Sequence, residues 1–134
     1  MHLLVVDDEE TLRSVVSQVL EADGFLVSEA ASGEEALEAF REQSHPLVIT
    51  DIRMSGMSGL ELLTEIKRHN PDTQVVIMTS HASLDSALTA MRAGAYDYLI
   101  KPFESLDLIS AVAGRAGDRS RPVGHLRHRE GTRR

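Results

Sequence analysis

Four apolar runs in this 134-residue chain each give way to residues with chemistry of their own. Leu3-Leu4-Val5-Val6 leads into Asp7-Asp8, Leu47-Val48-Ile49 into Asp51, Val75-Val76-Ile77-Met78 into Thr79-Ser80, and the run from Tyr96 to Ile100 into Lys101. If those ends meet, three carboxylates crowd one place, which raises the pKa of at least one unless a cation neutralises them. Magnesium suits such a site, because it takes oxygen ligands, keeps several waters and binds through one or two carboxylates together with phosphate oxygens. With no cysteine and no paired inward histidine, zinc or copper has little to hold it. Lys101 would add a fixed positive charge and Thr79 a hydroxyl donor, both suited to phosphoryl oxygens, and phosphoryl transfer asks a protein mainly for positioning and charge stabilisation. A carboxylate can also act as the nucleophile and become an aspartyl-phosphate, which makes Asp51 the natural acceptor.

Each residue also has a plainer role taken alone. Asp8, ahead of Glu9-Glu10-Thr11, could cap a helix, and Asp51 could form a turn. Thr79, Ser80 and Ser83 could be caps, and Lys101 a solvated charge. The weight lies in all four sitting at successive strand ends.

The elements that would bring them together are legible. The four runs, with Phe25-Leu26-Val27, read as five short strands, most of them buried on both faces. Between them Leu12, Val15, Val16, Val19 and Leu20 follow a helical i, i+3, i+4, i+7, i+8 pattern, and Leu84, Ala87, Leu88 and Met91 repeat it. Ser32 with Glu35, and Ser58 with Glu61, have capping-box spacing, while Gly24 and Gly94 stand where helices should stop. The order is β-α five times over, ending in a helix from about Glu104 to Ala113. Right-handed crossovers then demand a parallel sheet covered on both faces: an α/β, flavodoxin-like (βα)5 three-layer sandwich with strand order 2-1-3-4-5. In such sheets ligands bind beyond the carboxyl ends of the strands, where the four polar ends converge.

Length and composition agree with one domain having an aliphatic core: 42% of residues are hydrophobic and only 4% aromatic. The absence of cysteine removes disulfides and thiol chemistry. The Met1 to Val6 run is too short for a signal-peptide core, and no apolar stretch nears the ~18 residues of a membrane span, so no membrane is expected and the cytoplasm is the default location. The net charge of −7 is uneven, with 7 Lys/Arg against 19 Asp/Glu up to Gly114, then 7 Arg against 2 acids from Arg115 to Arg134. Residues 1–114 therefore read as the domain and 115–134 as a basic flexible tail or linker remnant. An acidic body disfavours direct nucleic-acid contact. His45, His81, His125 and His128 show no metal spacing and are expected at the surface or in the linker. Met54 and Met57, flanking Gly56, are expected to pack in a loop.

Leu-Val-Val-Asp-Asp-Glu at 4–9, Thr-Asp-Ile-Arg-Met at 50–54, Gly-Met-Ser-Gly-Leu-Glu at 56–61, Met-Thr-Ser at 78–80 and Asp-Tyr-Leu-Ile-Lys-Pro-Phe at 97–103 together resemble the receiver domains of two-component response regulators, over Met1 to about Ala113. The resemblance implies that a sensor histidine kinase phosphorylates Asp51, and that Mg2+ is held by Asp7, Asp8, Asp51 and the Arg53 backbone carbonyl. It implies Thr79 and Tyr98 as a switch pair, the ring turning inward behind the threonine, and a cis Lys101-Pro102 bond. Ser55 departs from the proline most common at its position, which loosens the unfolded chain by about 0.4–1 kcal/mol and leaves the loop that places the Arg53 carbonyl less rigid. Arg53 and His81 resemble positions that govern phosphoryl lifetime through water access. Ser-His-Ala-Ser-Leu-Asp-Ser-Ala at 80–87 resembles receivers that precede transcription-controlling ATPase domains. The implied output is a population shift at the face of the fourth and fifth helices and fifth strand, with homodimerisation or a fused or separate effector as its reader.

The rival readings are weaker. A magnesium phosphatase would need a general acid two residues after the nucleophile, where Arg53 stands. A nucleotide-binding module would need a glycine-rich phosphate loop after a strand, and neither common pattern occurs. A stand-alone receiver acting by protein contact remains compatible with the motifs, whereas one that is never phosphorylated conflicts with the full set of acids, threonine and lysine.

Overall fold

The computed structural model describes residues 1–80 and 83–117, with side chains as far as 113. Its strands are β1 (His2–Val6), β2 (Leu26–Ala30), β3 (Leu47–Asp51), β4 (Gln74–Thr79) and β5 (Asp97–Ile100), and its helices are α1 (Glu10–Ala22), α2 (Gly33–Glu42), α3 (Gly59–His69), α4 (Leu84–Arg92) and α5 (Ser105–Gly117). All four pairings are parallel and the order is β2-β1-β3-β4-β5, as the alternating pattern requires.

Strand alternation sends successive side chains to opposite faces, and the core divides accordingly. Leu3, Val5, Ile49, Val76 and Met78 pack with Val16 and Leu20 of α1 and Leu108, Ala111 and Val112 of α5. Leu4, Val6, Val48, Val75 and Ile77 pack with Phe40 of α2, Leu62 and Ile66 of α3 and Ala90 of α4. β3 is buried along its whole length, so a continuous apolar run is what it needs. β2 is an edge strand and follows a different rule. It runs on through Ser28 and Glu29, half-exposed, which is why its apolar signal stops at Val27.

Local chemistry sets the helix ends. Ser58 and Glu61 form a complete reciprocal capping box at α3. At α2 Ser32 accepts from the Glu35 amide, but the Glu35 carboxylate reaches one residue further back, to the Ala31 amide at 2.6 Å. Ser83 caps α4. Gly24 and Gly94 follow α1 and α4 with φ of 97° and 103°, a backbone region that suits glycine. Asp8 does not cap α1. The residue before that helix is Glu9, which makes no side-chain cap, and its amide instead donates to Asp7 Oδ1 at 2.9 Å. α5 continues to Gly117, four residues past Ala113, because each added residue of a formed helix gains a backbone bond without a new nucleus. The rest of the basic tail, and His81, lie outside the described residues.

Two further expectations change. The α4 stripe is only partly inward: Ala87 and Met91 pack on the core, while Leu84 and Leu88 face solvent. His45 is buried, not at the surface. It packs edge-on to the His2 ring at 4.6 Å and is stacked with Phe40, in a turn that an amphipathic count cannot see. Burial first, and the neighbouring His2 second, hold its imidazole below the usual histidine range. A depressed folded pKa means the unfolded chain binds the extra proton, so the stabilisation is complete above about pH 6.5 and is lost as pH falls through the folded value. Thermal melts between pH 7.5 and 5 should therefore show a steeper loss for the native chain than for His45→Phe, and parallel curves would contradict it.

Candidate phosphoryl-acceptor site

The parallel register builds the site. Val6 pairs with Thr50 and Thr79 with Ile100, so the residues that follow or end these strands, Asp7, Asp51, Thr79 and Lys101, share one edge of the sheet. Their polarity falls where backbone pairing ends and donors and acceptors need partners. The Lys101 amide donates to the Thr79 carbonyl at 2.8 Å, fixing where the lysine side chain leaves β5.

Lys101 Nζ then lies 2.9 Å from Asp51 Oδ2 and 3.2 Å from Asp7 Oδ2, one ammonium bridging two carboxylates. The other Asp51 oxygen accepts from the Arg53 amide at 3.2 Å, and the other Asp7 oxygen from Glu9. Asp7 is fully buried, whereas the Asp51 side chain keeps 13% of its surface open, so of the two acids Asp51 is the one a bulky phosphoryl donor can reach. Burial pushes the Asp7 carboxyl above the usual range, the Glu9 amide and Lys101 pull it back, and Asp51 beside it pushes it up again.

Asp8 is exposed and its Oδ2 accepts from the Ser55 amide at 3.1 Å, a bond that proline at 55 could not make. Among the described residues no three acidic, histidine or cysteine side chains form a chelating group. The strand ends thus gather Asp7, Asp51, Thr79 and Lys101 as expected, while Asp8 is drawn aside by the loop after β3. The donor set still fits a hard divalent ion: it is all oxygen, supplies two juxtaposed carboxylates with a third one loop contact away, and contains a buried acid that an added positive charge would help ionise. Arg53 lies in that loop and is exposed.

Tyr98 is buried in β5, with its phenol oxygen 2.8 Å from Ser86 Oγ of α4. Lys101-Pro102 is cis. Three contacts had no signal in residue type alone. Arg13 donates to the Asp7 carbonyl at 2.9 Å and pairs with Glu29, tying α1 to the ends of β1 and β2. Glu34 of α2 accepts from the Met57 amide, holding the loop after β3 from its far side. Ser86 is the third. Met54 and Met57 do pack against the core, as their loop position suggested.

The model of the response regulator receiver domain family matches residues 3–113, and the chain belongs to that family. It is 45% identical over 115 residues to the transcriptional regulatory protein ZraR of Klebsiella oxytoca, covering 84% of this chain but 26% of that protein, so it spans about a quarter of that relative's length. Among solved structures it resembles a response regulator receiver domain protein of Clostridium thermocellum (40% identity, TM-score 0.83, covering 89% and 96% of the two chains). It also resembles the response regulator protein TrrA of Thermotoga maritima, solved in complex with Mg(2+)-BeF (35% identity, TM-score 0.79, 85% and 97% covered). The chain is a receiver domain of two-component response regulators related to transcriptional regulators.

Proposed function

We propose that this domain is a phospho-accepting switch in which Asp51 takes a phosphoryl group from the phosphohistidine of a sensor kinase, with magnesium present. The single observation that carries the reading is the Lys101 ammonium bridging Asp51 and a fully buried Asp7, with Asp51 the accessible member. In the transfer an Asp51 carboxylate oxygen forms the new P–O bond as the P–N bond to the donor imidazole breaks, and the leaving nitrogen keeps the electron pair. Lys101 stands where charge on the transferring oxygens is stabilised, Thr79 at the neighbouring strand end offers a hydroxyl, and the Arg53 amide orients the carboxylate. Asp7, Asp51 and the Arg53 carbonyl would hold the metal, with Asp8 joining them once it leaves the Ser55 amide. When bound, the metal supplies charge neutralisation between the acids and the phosphoryl oxygens.

The kinase has a surface to meet. An apolar cleft of about 390 Å3 between α1 and α5, lined by Leu12, Val15, Val19, Phe103 and Leu108, has Lys101 in its wall and so opens beside the acceptor. Any donor imidazole must approach from surface next to Asp51, and this is its apolar part. The output lies on another face, where Leu84 and Leu88 of α4, Ile100 of β5 and Leu106 of α5 are exposed apolar side chains. That face meets a second copy or an effector that controls transcription, when phosphorylation shifts its population. Among the described residues no helix is long and apolar enough to cross a membrane. Residues 118–134, which follow α5, then serve as a basic linker outside the switch.

Incubation with acetyl phosphate followed by intact-mass measurement tests the reading. A gain of one phosphoryl group is expected with magnesium and is lost with chelator; no gain, or an equal gain without metal, would overturn it.

A further inference from the structure

Ser86 makes four contacts that belong together. Its Oγ lies 2.8 Å from the Tyr98 phenol, 3.1 Å from Ser83 Oγ and 3.2 Å from the Ser83 carbonyl, while its amide donates to Ser83 Oγ at 3.1 Å. A hydroxyl has one proton to give and two lone pairs. The Ser86 proton goes to the Ser83 carbonyl, which leaves Ser86 Oγ to accept from the Ser83 hydroxyl and from the Tyr98 phenol, so its donor and both lone pairs are used. Ser83 is also the cap of α4. The buried ring of β5 is therefore hydrogen-bonded into the same short network that starts the helix above it.

We infer that Ser86 is a positioning residue that holds the Tyr98 ring inward and ties it to the capped first turn of α4, so that ring and helix start move as one unit. The inference rests on the phospho-switch reading only for what drives the motion. An outward ring breaks the phenol bond and leaves the Ser86 hydroxyl to rearrange at the cap; conversely, loosening the first turn removes the hydrogen bond that Ser86 makes to the phenol. Ser86 thereby favours the inward ring before any phosphoryl group arrives, and the Leu84 and Leu88 surface on the same helix follows the ring.

The sequence has only two tyrosines, so ring NMR of a 13C-tyrosine-labelled chain resolves Tyr98 against Tyr96, assigned with Tyr98→Phe. Without metal or phosphoryl donor, Ser86→Ala should shift and broaden the Tyr98 signals and leave Tyr96 in place, and Ser86→Thr should restore them. Reciprocally, Tyr98→Phe should move the amide signals of Ser83 and Ser86. Unchanged Tyr98 signals in Ser86→Ala, or unmoved amides in Tyr98→Phe, would overturn the proposal. Magnesium with beryllofluoride should then bind Ser86→Ala between about two- and tenfold more weakly than native, the range one hydrogen bond supplies, and equal affinity would remove the coupling. A native chain that binds no beryllofluoride would strike the phospho-acceptor reading instead, while the ring signals still decide the role of Ser86.

Discussion

Replacing Asp51 with asparagine should abolish phosphoryl uptake while leaving the domain folded. The amide keeps the shape of the side chain and loses the nucleophilic oxygen, and no neighbour can substitute. Asp7 is buried beneath the site, and Asp8 faces the loop through the Ser55 amide. A second effect separates this account from a general loss of charge. The Asp51 carboxylate is one cause of the raised Asp7 pKa, so Asp51→Asn should bring Asp7 down toward the ordinary carboxylate range, Lys101 now serving it alone. Intact mass reads the first effect and carbon NMR titration of the Asp7 carboxyl the second. Uptake equal to native would place the acceptor elsewhere, and an unmoved Asp7 would mean that the two acids do not interact.

Gly59→Ala should be the most damaging single-methyl change near the site. Gly59 opens α3 and its amide donates to the Ile52 carbonyl at 2.9 Å, folding the chain back onto the end of β3. A Cβ there would be driven into the Asp51 carbonyl oxygen, with the Asp51 carbonyl carbon and Ile52 Cα both at 2.8 Å. These are backbone atoms of a buried strand end and cannot rotate away. Overpacking costs typically 1–3 kcal/mol, and with no flexible partner to yield we expect about 3 kcal/mol or more. For a domain of this size that lowers the melting temperature by more than about 10 °C. Gly33→Ala is the control. Its Cβ would meet Met57 Cβ and Cγ at 2.9 Å and Sδ at 3.0 Å; the sulfur end can swing away but Cβ moves only with the loop backbone, so the cost should be real yet smaller than at Gly59, where the backbone of a buried strand end blocks the methyl. Any relief at Gly59 must shift Asp51, so the folded fraction of Gly59→Ala should also take up phosphoryl groups poorly. Equal melting of the two variants would contradict the close approach.

The contrast shows which features a sequence can carry. β1, β3 and β4 were legible because strands covered on both faces must be apolar throughout, and the polar residues that end them mark the functional edge. The capped helix starts were legible for the same reason: the interaction spans three residues. β2 was read short, since an edge strand tolerates Ser28 and Glu29. The burial of His45, the loop contact of Asp8 and the role of Ser86 carry no local signal because their partners lie far along the chain: His2 beside the first, Ser55 under the second, Tyr98 behind the third. Leu84 and Leu88 satisfy the helical pattern yet face outward, for periodicity records that a stripe is apolar and not what covers it. Gly59 matched a capping box, and nothing in its neighbours announced the carbonyl above it.

Borohydride reduction of the phosphorylated chain, followed by peptide mapping, locates the acyl phosphate directly, because an aspartyl-phosphate is converted to homoserine. The account predicts homoserine at position 51 in the magnesium-treated native chain. Homoserine at position 7 or 8, or a phosphoryl group that survives reduction on a hydroxyl or imidazole, would contradict it.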